Sequence, residues 1–318
     1  MNLFVNIVFG FEGNCMDVLG VLKKGFRFIF DKDYRFLAKA KMGIYDSMYD
    51  EEYLKRFFKA CLGRDLNLVS PKSYNEKLQW LKLHDRSPKY VIMVDKYKVR
   101  DYITKMLGEE YLIPLLGVWE DPSDINFDAL PNQFVLKCNH NSGLGMCICK
   151  DKSTLNIKHT RKKLKKGIEQ DYYLFEREWP YKDVPRKIIA ERYMGQIDDY
   201  KFFCFNGVID SVMVCKERDK GYPKFIFYDK DWNRLYYQYY EPSKEYEEKK
   251  PEKYDEMKKI AEKLSKGYPH IRVDLYLIDN HVYFGELTLY NQSGFDTDIT
   301  YETDLMWGEK LILPNGTT

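Results

Sequence analysis

The sequence predicts an α+β fold, with helices toward the N-terminus, then short strands, then an antiparallel sheet flanked by helices. Three observations predict it. Apolar residues recur at helical spacing in the first third, as in Tyr53, Leu54, Phe57, Phe58 and Cys61. From Lys187 the pattern becomes strand-like in KIIAERYM, DYKFFCFNGVIDSVMVC and KFIFYDKDWN, with Asn206-Gly207 as a hairpin turn signal. A helical segment from Pro251 to Gly267 then precedes a pair of strand-like runs, IRVDLYLI and VYFGELTL. Helices and strands that group in this way, without regular βαβ alternation, argue for α+β.

Taken in order, residues 1–68 read as a helical N-terminal extension. The apolar run Leu3 to Phe11 is too short to span a bilayer, and no basic region precedes it as a secretory signal would require. Phe26, Phe28, Ile29 and Phe30, beside Lys23, Lys24 and Arg27, either rest on a membrane surface or belong to a helix docked on the protein body. Tyr49 to Gly63 is a helix with Gly63 as its stop. Ser73 and Glu76 form a capping box for the next, with Leu78, Trp80 and Leu81 on its apolar side. Asp95 caps another, with Val99, Tyr102, Ile103, Met106 and Leu107 as its stripe and Gly108 at its end. Strand-like runs follow at residues 111–119, 132–137 and 146–150. The Lys/Arg cluster Arg161 to Lys166 is a solvated helix face or a groove for an acidic polymer. In the segment from Pro251 to Gly267, proline stands at the start, Tyr254, Met257, Ile260, Ala261 and Leu264 form the stripe, and glycine lies beyond the end.

Composition narrows the function. The 318 residues are 44% apolar and 31% charged, enough for a folded core in one large domain or two lobes sharing a cleft. A formal net charge of +2 gives no reason to expect nucleic acid as a partner. The 27 tyrosines fit sugar- or base-binding surfaces, or ordinary strand packing. Seven cysteines form no CxxC pair, which suits a reduced, intracellular protein and offers no zinc site. A cytoplasmic location follows, with a peripheral position at the inner face of the membrane left open.

Two segments carry the chemistry. In FVLKCNHNSGLG (Phe134 to Gly145) a strand bearing Lys137 runs into a loop, Ser142-Gly143-Leu144-Gly145, and on into another strand. It lacks the GK[ST] ending of a Walker A motif. Its glycines let backbone N–H groups approach phosphate oxygens, with Lys137 as a fixed positive charge, or the loop is only a turn. The second segment is a hairpin. If Asp279, Asn280 and His281 form its loop, Ile278 faces Val282, Asp274 faces Glu286 and Arg272 faces Thr288. Facing carboxylates destabilise a sheet unless a cation lies between them. Mg²⁺ with nucleotide phosphates would serve, and Arg272 would offset charge on a transferring phosphoryl group. A salt-bridged surface patch of Arg272, Asp274 and Glu286 is the other reading.

The ordered series PKSYNEKLQWLKLHDR, VDKYKVRDYI, VLKCNHNSG, DYKFFCFNG and RVDLY…GELT resembles the TupA-like ATP-grasp family over roughly Asp50 to Pro314. That family is named for a teichuronopeptide biosynthesis protein and is associated with cell-surface polysaccharide assembly. The resemblance implies an ATP-grasp domain over 69–314, with an N-lobe to about 187 and a C-lobe from 188, gripping ATP. By motif, Lys96 and Lys137 match the two lysines that contact ATP phosphates and adenine. Asn141, Ser142, Gly143, Leu144 and Gly145 match the flap over the phosphates. Glu191, Arg192 and Tyr193 match the hinge strand bordering adenine, Asp199 a ribose contact, and Lys201 a further phosphate contact. Asp274 and Glu286 match metal ligands, and Thr288 stands where many superfamily members have a metal-binding Asn.

The chemistry so implied uses ATP and Mg²⁺ to make an acyl phosphate from a carboxylate, which an amine then attacks. Arg272 and Lys201 would act on the transferring group. A glycosyltransferase of the same pathway and a non-catalytic nucleotide-binding scaffold are the alternatives. Of the histidines His140, in the flap, stands nearest to substrate. The DxD triplets Asp229–Asp231 and Asp296–Asp298 are the feature a glycosyltransferase would use.

Overall fold

The computed structural model describes residues 27–314, apart from 196, 218–220 and 222. The apolar run Leu3 to Phe11 and residues Lys23, Lys24 and Phe26 lie outside them. Phe28, Ile29 and Phe30 are exposed.

Helix α1 (Lys32–Lys41) is capped by Asp31, whose carboxylate accepts from the N–H groups of Asp33 and Tyr34. Helix α2 (Asp50–Leu62) buries Tyr53, Leu54, Phe57 and Phe58, and Gly63 ends it in the left-handed conformation at φ 70°. This stripe packs on Phe36 and on Phe295, whose ring centre lies 4.7 Å from that of Phe57. The N-terminal helices are thereby tied to a loop near the C-terminus. Helix α3 (Tyr74–His84) carries the expected capping box of Ser73 and Glu76. After α4 (Lys89–Val94), Asp95 accepts from the N–H groups of Tyr97 and Lys98, so its cap closes the turn that leads into α5 (Val99–Met106).

Two antiparallel sheets follow. The smaller is ordered β1 (Leu115–Trp119), β4 (Ile188–Arg192), β2 (Phe134–Cys138), β3 (Cys147–Cys149), and is backed by α6 (Ile157–Glu169). The short helix α7 (Tyr172–Glu176) follows α6. Strand β4 pairs with both β1 and β2, so the chain leaves this sheet only after Arg192. The lobe division expected at 187/188 therefore moves past residue 192. The reason is the fully buried run Ile188-Ile189-Ala190, which fills a central strand and does not begin a new sheet.

The larger sheet is ordered β10 (His281–Thr288), β9 (His270–Ile278), β5 (Asp198–Phe205), β6 (Val208–Lys216), β7 (Lys224–Asp229), β8 (Arg234–Leu235). Asn206 and Gly207 turn β5 into β6, both at positive φ. Helix α8 (Tyr254–Ser265) covers this sheet with Tyr254, Met257, Ile260, Ala261 and Leu264. A last helix, α9 (Tyr301–Lys310), packs Trp307 on Phe203 and Tyr74.

The β9–β10 hairpin brings Asp274 opposite Glu286 and Arg272 opposite Thr288, as expected, by a different route. Its loop is two residues, Asp279 and Asn280, both at positive φ, and His281 faces Ile278. A bulge between Phe284 and Glu286 restores the extra residue. Gly285 stands in that bulge, where a Cβ would lie 2.9 Å from the Tyr276 ring and 3.0 Å from the Asp274 carbonyl oxygen.

Candidate active site

A cleft lies between the smaller sheet and the β9–β10 hairpin. From one side it is lined by Lys96, Arg100, Lys137 and Glu191, and from the other by Tyr276, Gly285 and Glu286. Apolar side chains of Val94, Leu112 and Phe284 complete the walls, and Tyr181 joins them from the segment before β4.

On the first wall, Lys137 Nζ lies 2.6 Å from Glu191 Oε2, and Arg100 Nη1 lies 3.3 Å from Glu191 Oε1. Lys96 donates to the Asn141 carbonyl at 2.7 Å. Burial pulls the Lys96 ammonium below its ordinary range and the nearby Lys137 charge adds to this, while Glu286 opposes it. The base of the glycine loop is fixed by Asn141, whose Nδ2 donates to the carbonyls of Leu144 and Gly167 at 3.1 Å each. The loop itself is raised: Ser142, Gly143 and Leu144 are exposed, while Asn141 and Gly145 are buried.

The second wall rests on a buried charge network. Asp274 is fully buried and takes two bonds from Arg272, Nε to Oδ1 at 2.7 Å and Nη2 to Oδ2 at 2.8 Å. Lys201 Nζ bonds the same Oδ2 and lies 2.8 Å from Asp199 Oδ2. Arg272 Nη2 also reaches Glu286 Oε1 at 3.1 Å, and Nη1 donates to Asn291 Oδ1 at 2.6 Å. The cation between the facing carboxylates is thus the Arg272 guanidinium. Burial alone would raise the Asp274 carboxyl, but Arg272 and Lys201 outweigh it and hold Asp274 at about 2. Burial opposes the Lys201 charge, yet Asp274 and Asp199 raise it above its ordinary value.

For Mg²⁺ the donors are of the right kind, hard oxygens on adjacent strands. Glu286 lines the cleft with its side chain 41% exposed, and the Thr288 hydroxyl lies 3.5 Å from its Oε1. Asp274 has both oxygens committed to Arg272 and Lys201, so it joins a metal only if one of them releases it. Among the described residues no group of three or more His, Cys, Asp or Glu is placed to hold a metal. The donor set that Mg²⁺ would use, Glu286 with Asp274, is complete only once Asp274 is freed from Arg272 or Lys201.

Other expected residues stand apart from this cleft. Arg192 is exposed at the end of β4 and Tyr193 is half-buried beyond it. His140 is buried and turned toward the Gln170 carbonyl at 3.0 Å, and burial lowers its imidazole to about 4. Of the DxD triplets, Asp229 caps its own turn through the N–H groups of Asp231 and Asn233, and Asp296 is buried against Asn291. Neither lines the cleft. Arg100, Tyr181 and Asn291 were not foreseen. Only Arg100 left a trace in the sequence, standing with Lys96 inside the run VDKYKVRDYI.

The family model for TupA-like ATP-grasp proteins matches residues 76–312. The chain belongs to the TupA-like ATP-grasp family. Its α+β architecture is an ATP-grasp fold with an N-terminal helical region, and membership implies ATP binding and the ATP-dependent ligase type of enzyme. No curated protein matches the sequence. Similar solved structures include a D-alanine–D-alanine ligase from Helicobacter pylori, 16% identical with TM-score 0.41 over 76% of this chain and 70% of that one. Another is N5-carboxyaminoimidazole synthetase from Staphylococcus aureus complexed with ADP, 14% identical with TM-score 0.39 over 70% and 53%. A third is D-alanine–D-alanine ligase from Bacillus anthracis complexed with ATP, 16% identical with TM-score 0.40 over 69% and 64%. The TupA-like chain spans 53% to 70% of the length of these three structures. Among the described residues no helix is long and apolar enough to cross a membrane.

Proposed function

We propose that this chain is an ATP- and Mg²⁺-dependent carboxylate–amine ligase acting in cell-surface polysaccharide assembly, through an acyl-phosphate intermediate. The observation that carries the reading is the single cleft that joins Lys96, Lys137 and Glu191 of one wall to Glu286 of the other. A triphosphate needs cations held rigidly along its length, and Lys96, Arg100 and Lys137 supply them from the first wall. The polysaccharide setting comes from the family association.

In this reading Lys96 and Lys137 bind nucleotide phosphates, while Glu191 holds Lys137 in place and borders adenine, with Arg192 and Tyr193 just beyond the cleft lining at the end of β4. Asp199 serves the ribose and positions Lys201. Asn141 to Gly145 close over the phosphates and exclude water from the acyl phosphate, which would otherwise hydrolyse. Bound Mg²⁺, held by Glu286 with Asp274 and with Thr288 beside them, would neutralise phosphate charge. Arg272 and Lys201 face the transferring phosphoryl group. The chain works in the cytoplasm, and the exposed Phe28, Ile29 and Phe30 are available for contact with the inner membrane face.

The test is a thermal-shift panel of ATP, GTP, UDP-glucuronate and GDP-mannose, with and without Mg²⁺. A ligand at 100 times its Kd adds about 2.7 kcal/mol of apparent stability. ATP with Mg²⁺ is expected to stabilise most. Stabilisation by the sugar nucleotides and not by ATP would transfer the protein to the glycosyltransferase reading.

A further inference from the structure

Arg272 is held at all three nitrogens of its guanidinium. Nε and Nη2 bond the two Asp274 oxygens, Nη2 also reaches Glu286 Oε1, and Nη1 donates to Asn291 Oδ1 at 2.6 Å. A guanidinium carries five N–H bonds in one plane. Four are committed in this way, and the second N–H of Nη1 is left over. Both hydrogens of that nitrogen lie in the guanidinium plane, so fixing one fixes the direction of the other. The Asn291 oxygen does the fixing.

Asn291 is itself held from the other side. It is 3% exposed, and its Nδ2 donates to Asp296 Oδ2 at 3.0 Å. An amide suits this place because it accepts at one end, from a cation, and donates at the other, to a carboxylate. An aspartate there would set two carboxylates against each other, and an apolar side chain would leave both partners unpaired. Asp296 is clamped in turn. Its N–H donates to Asn75 Oδ1 at 2.8 Å, and Asn75 Nδ2 donates to its carbonyl at 3.2 Å.

Between Asn291 and Asp296 the chain passes through consecutive left-handed residues, Gln292 at φ 49°, Ser293 at 51° and Gly294 at 67°. Non-glycine residues hold that conformation only where their surroundings impose it. The imposing surface is one face of α3. Asn75, Gln79 and Lys82 are spaced so that they share that face, and all are buried. Gln79 Nε2 donates to the carbonyls of Ser293 at 3.0 Å and Gly294 at 2.6 Å. Lys82 Nζ donates to those of Ser293 at 2.6 Å and Glu176 at 2.7 Å. A polar stripe on a buried helix face thus maintains a strained loop whose first residue meets Arg272.

We propose that Asn291 is a positioning residue that aims the remaining Nη1 N–H of Arg272 at the terminal phosphoryl group of a nucleoside triphosphate. The role rests on the ligase reading above, in which Arg272 acts on the transferring group. The hairpin's own carboxylates hold Nε and Nη2 whichever nucleotide is bound. Asn291 governs the one N–H that is free to act on it. A diphosphate has no terminal group for that N–H, so Asn291 should matter to the triphosphate alone.

The probes are the Mg²⁺ complexes of ADP and of the non-hydrolysable triphosphate AMP-PNP, titrated calorimetrically into the full chain. In wild type the triphosphate should bind more tightly. N291L should weaken it about tenfold, the scale of one misaligned charge-assisted hydrogen bond, and leave ADP within about twofold. A purely structural role would weaken both alike. The exchange N291D/D296N keeps an acceptor for Arg272 and restores the donor–acceptor pair in reverse, so the triphosphate should return to within about threefold of wild type. N291D alone should not recover it. Should N291L fail to fold, N291S, too short to reach both partners, is read in its place. Equal affinities of the two nucleotides in wild type, parallel losses in the variant, an unchanged ratio, or an exchange that restores nothing would overturn the assignment. Failure of wild type to bind either nucleotide would instead sink the nucleotide reading, and this role with it.

Discussion

Lys137 on β2 and Glu191 on β4 are diagonal neighbours across adjacent strands, and their side chains meet at 2.6 Å on the cleft wall. Arg100 reaches the same carboxylate from α5, so a single buried acid fixes two cations from different elements. Such fixing suits phosphate binding, because the side-chain ordering is complete before the ligand arrives. Lys137→Met should therefore weaken Mg–ATP binding by about 10–100-fold, the scale of one charge-assisted hydrogen bond. Calorimetric titration measures it, and an unchanged Kd would take Lys137 out of the site.

Asp274 and Glu286 face each other on the hairpin but should fail differently when changed. Glu286→Gln alters a side chain that is 41% exposed and lines the cleft, so turnover should fall by about 10²–10³-fold with the fold intact. Asp274→Asn leaves Arg272 and Lys201 buried without their shared counter-charge, and should cost about 3–5 kcal/mol of stability. Urea unfolding together with an ADP-release assay separates the two. Equal loss of stability in both variants would contradict the division.

The carboxylate pairing was legible because strand residues alternate faces and the hairpin loop is short, so few registers are open. The loop itself was misread by one residue. A two-residue turn at Asp279 and Asn280 and a bulge at Gly285 reach the same pairing, and a local pattern cannot distinguish one extra loop residue from one bulged residue. The Lys82–Glu176–Ser293 contacts join positions 94 and 211 residues apart and have no periodic signature. Pattern reading could not place them together. The lobe division was misplaced for a related reason: Ile188-Ile189-Ala190 is apolar enough for either sheet, and only its pairing with β1 and β2 decides.

Stability should respond to pH in two separate windows. Asp274 is held at about 2, below its unfolded value, so its contribution is present above about pH 4 and is lost as pH falls from there toward 2. Glu178 and Asp296 behave oppositely. Burial raises both to about 7, so the folded chain holds their protons more tightly than the unfolded chain. Their contribution is present below about pH 4 and is lost as pH rises through about 7. Urea midpoints measured across this range should show a slope near neutrality that E178Q and D296N each reduce. A slope unchanged in both variants would show that neither group titrates differently on folding.

The glycine loop depends on a close crossing with helix α6. At Gly167 a Cβ would lie 2.6 Å from the Leu144 carbonyl oxygen, 2.8 Å from Cys138 Sγ and 2.9 Å from Gly145 Cα. Two of these are backbone atoms, which have no rotamer to yield, so the loop or the helix must shift. The Gly167 carbonyl also accepts from Asn141 Nδ2, and the Asn141 carbonyl accepts from Lys96. A displaced crossing would thus reach Lys96 through two hydrogen bonds. Gly167→Ala should cost about 1–3 kcal/mol of stability and weaken Mg–ATP binding, although its side chain lines no part of the cleft. Thermal unfolding and nucleotide titration of this variant read both effects. A stable G167A with wild-type nucleotide affinity would mean that the loop is positioned without this contact.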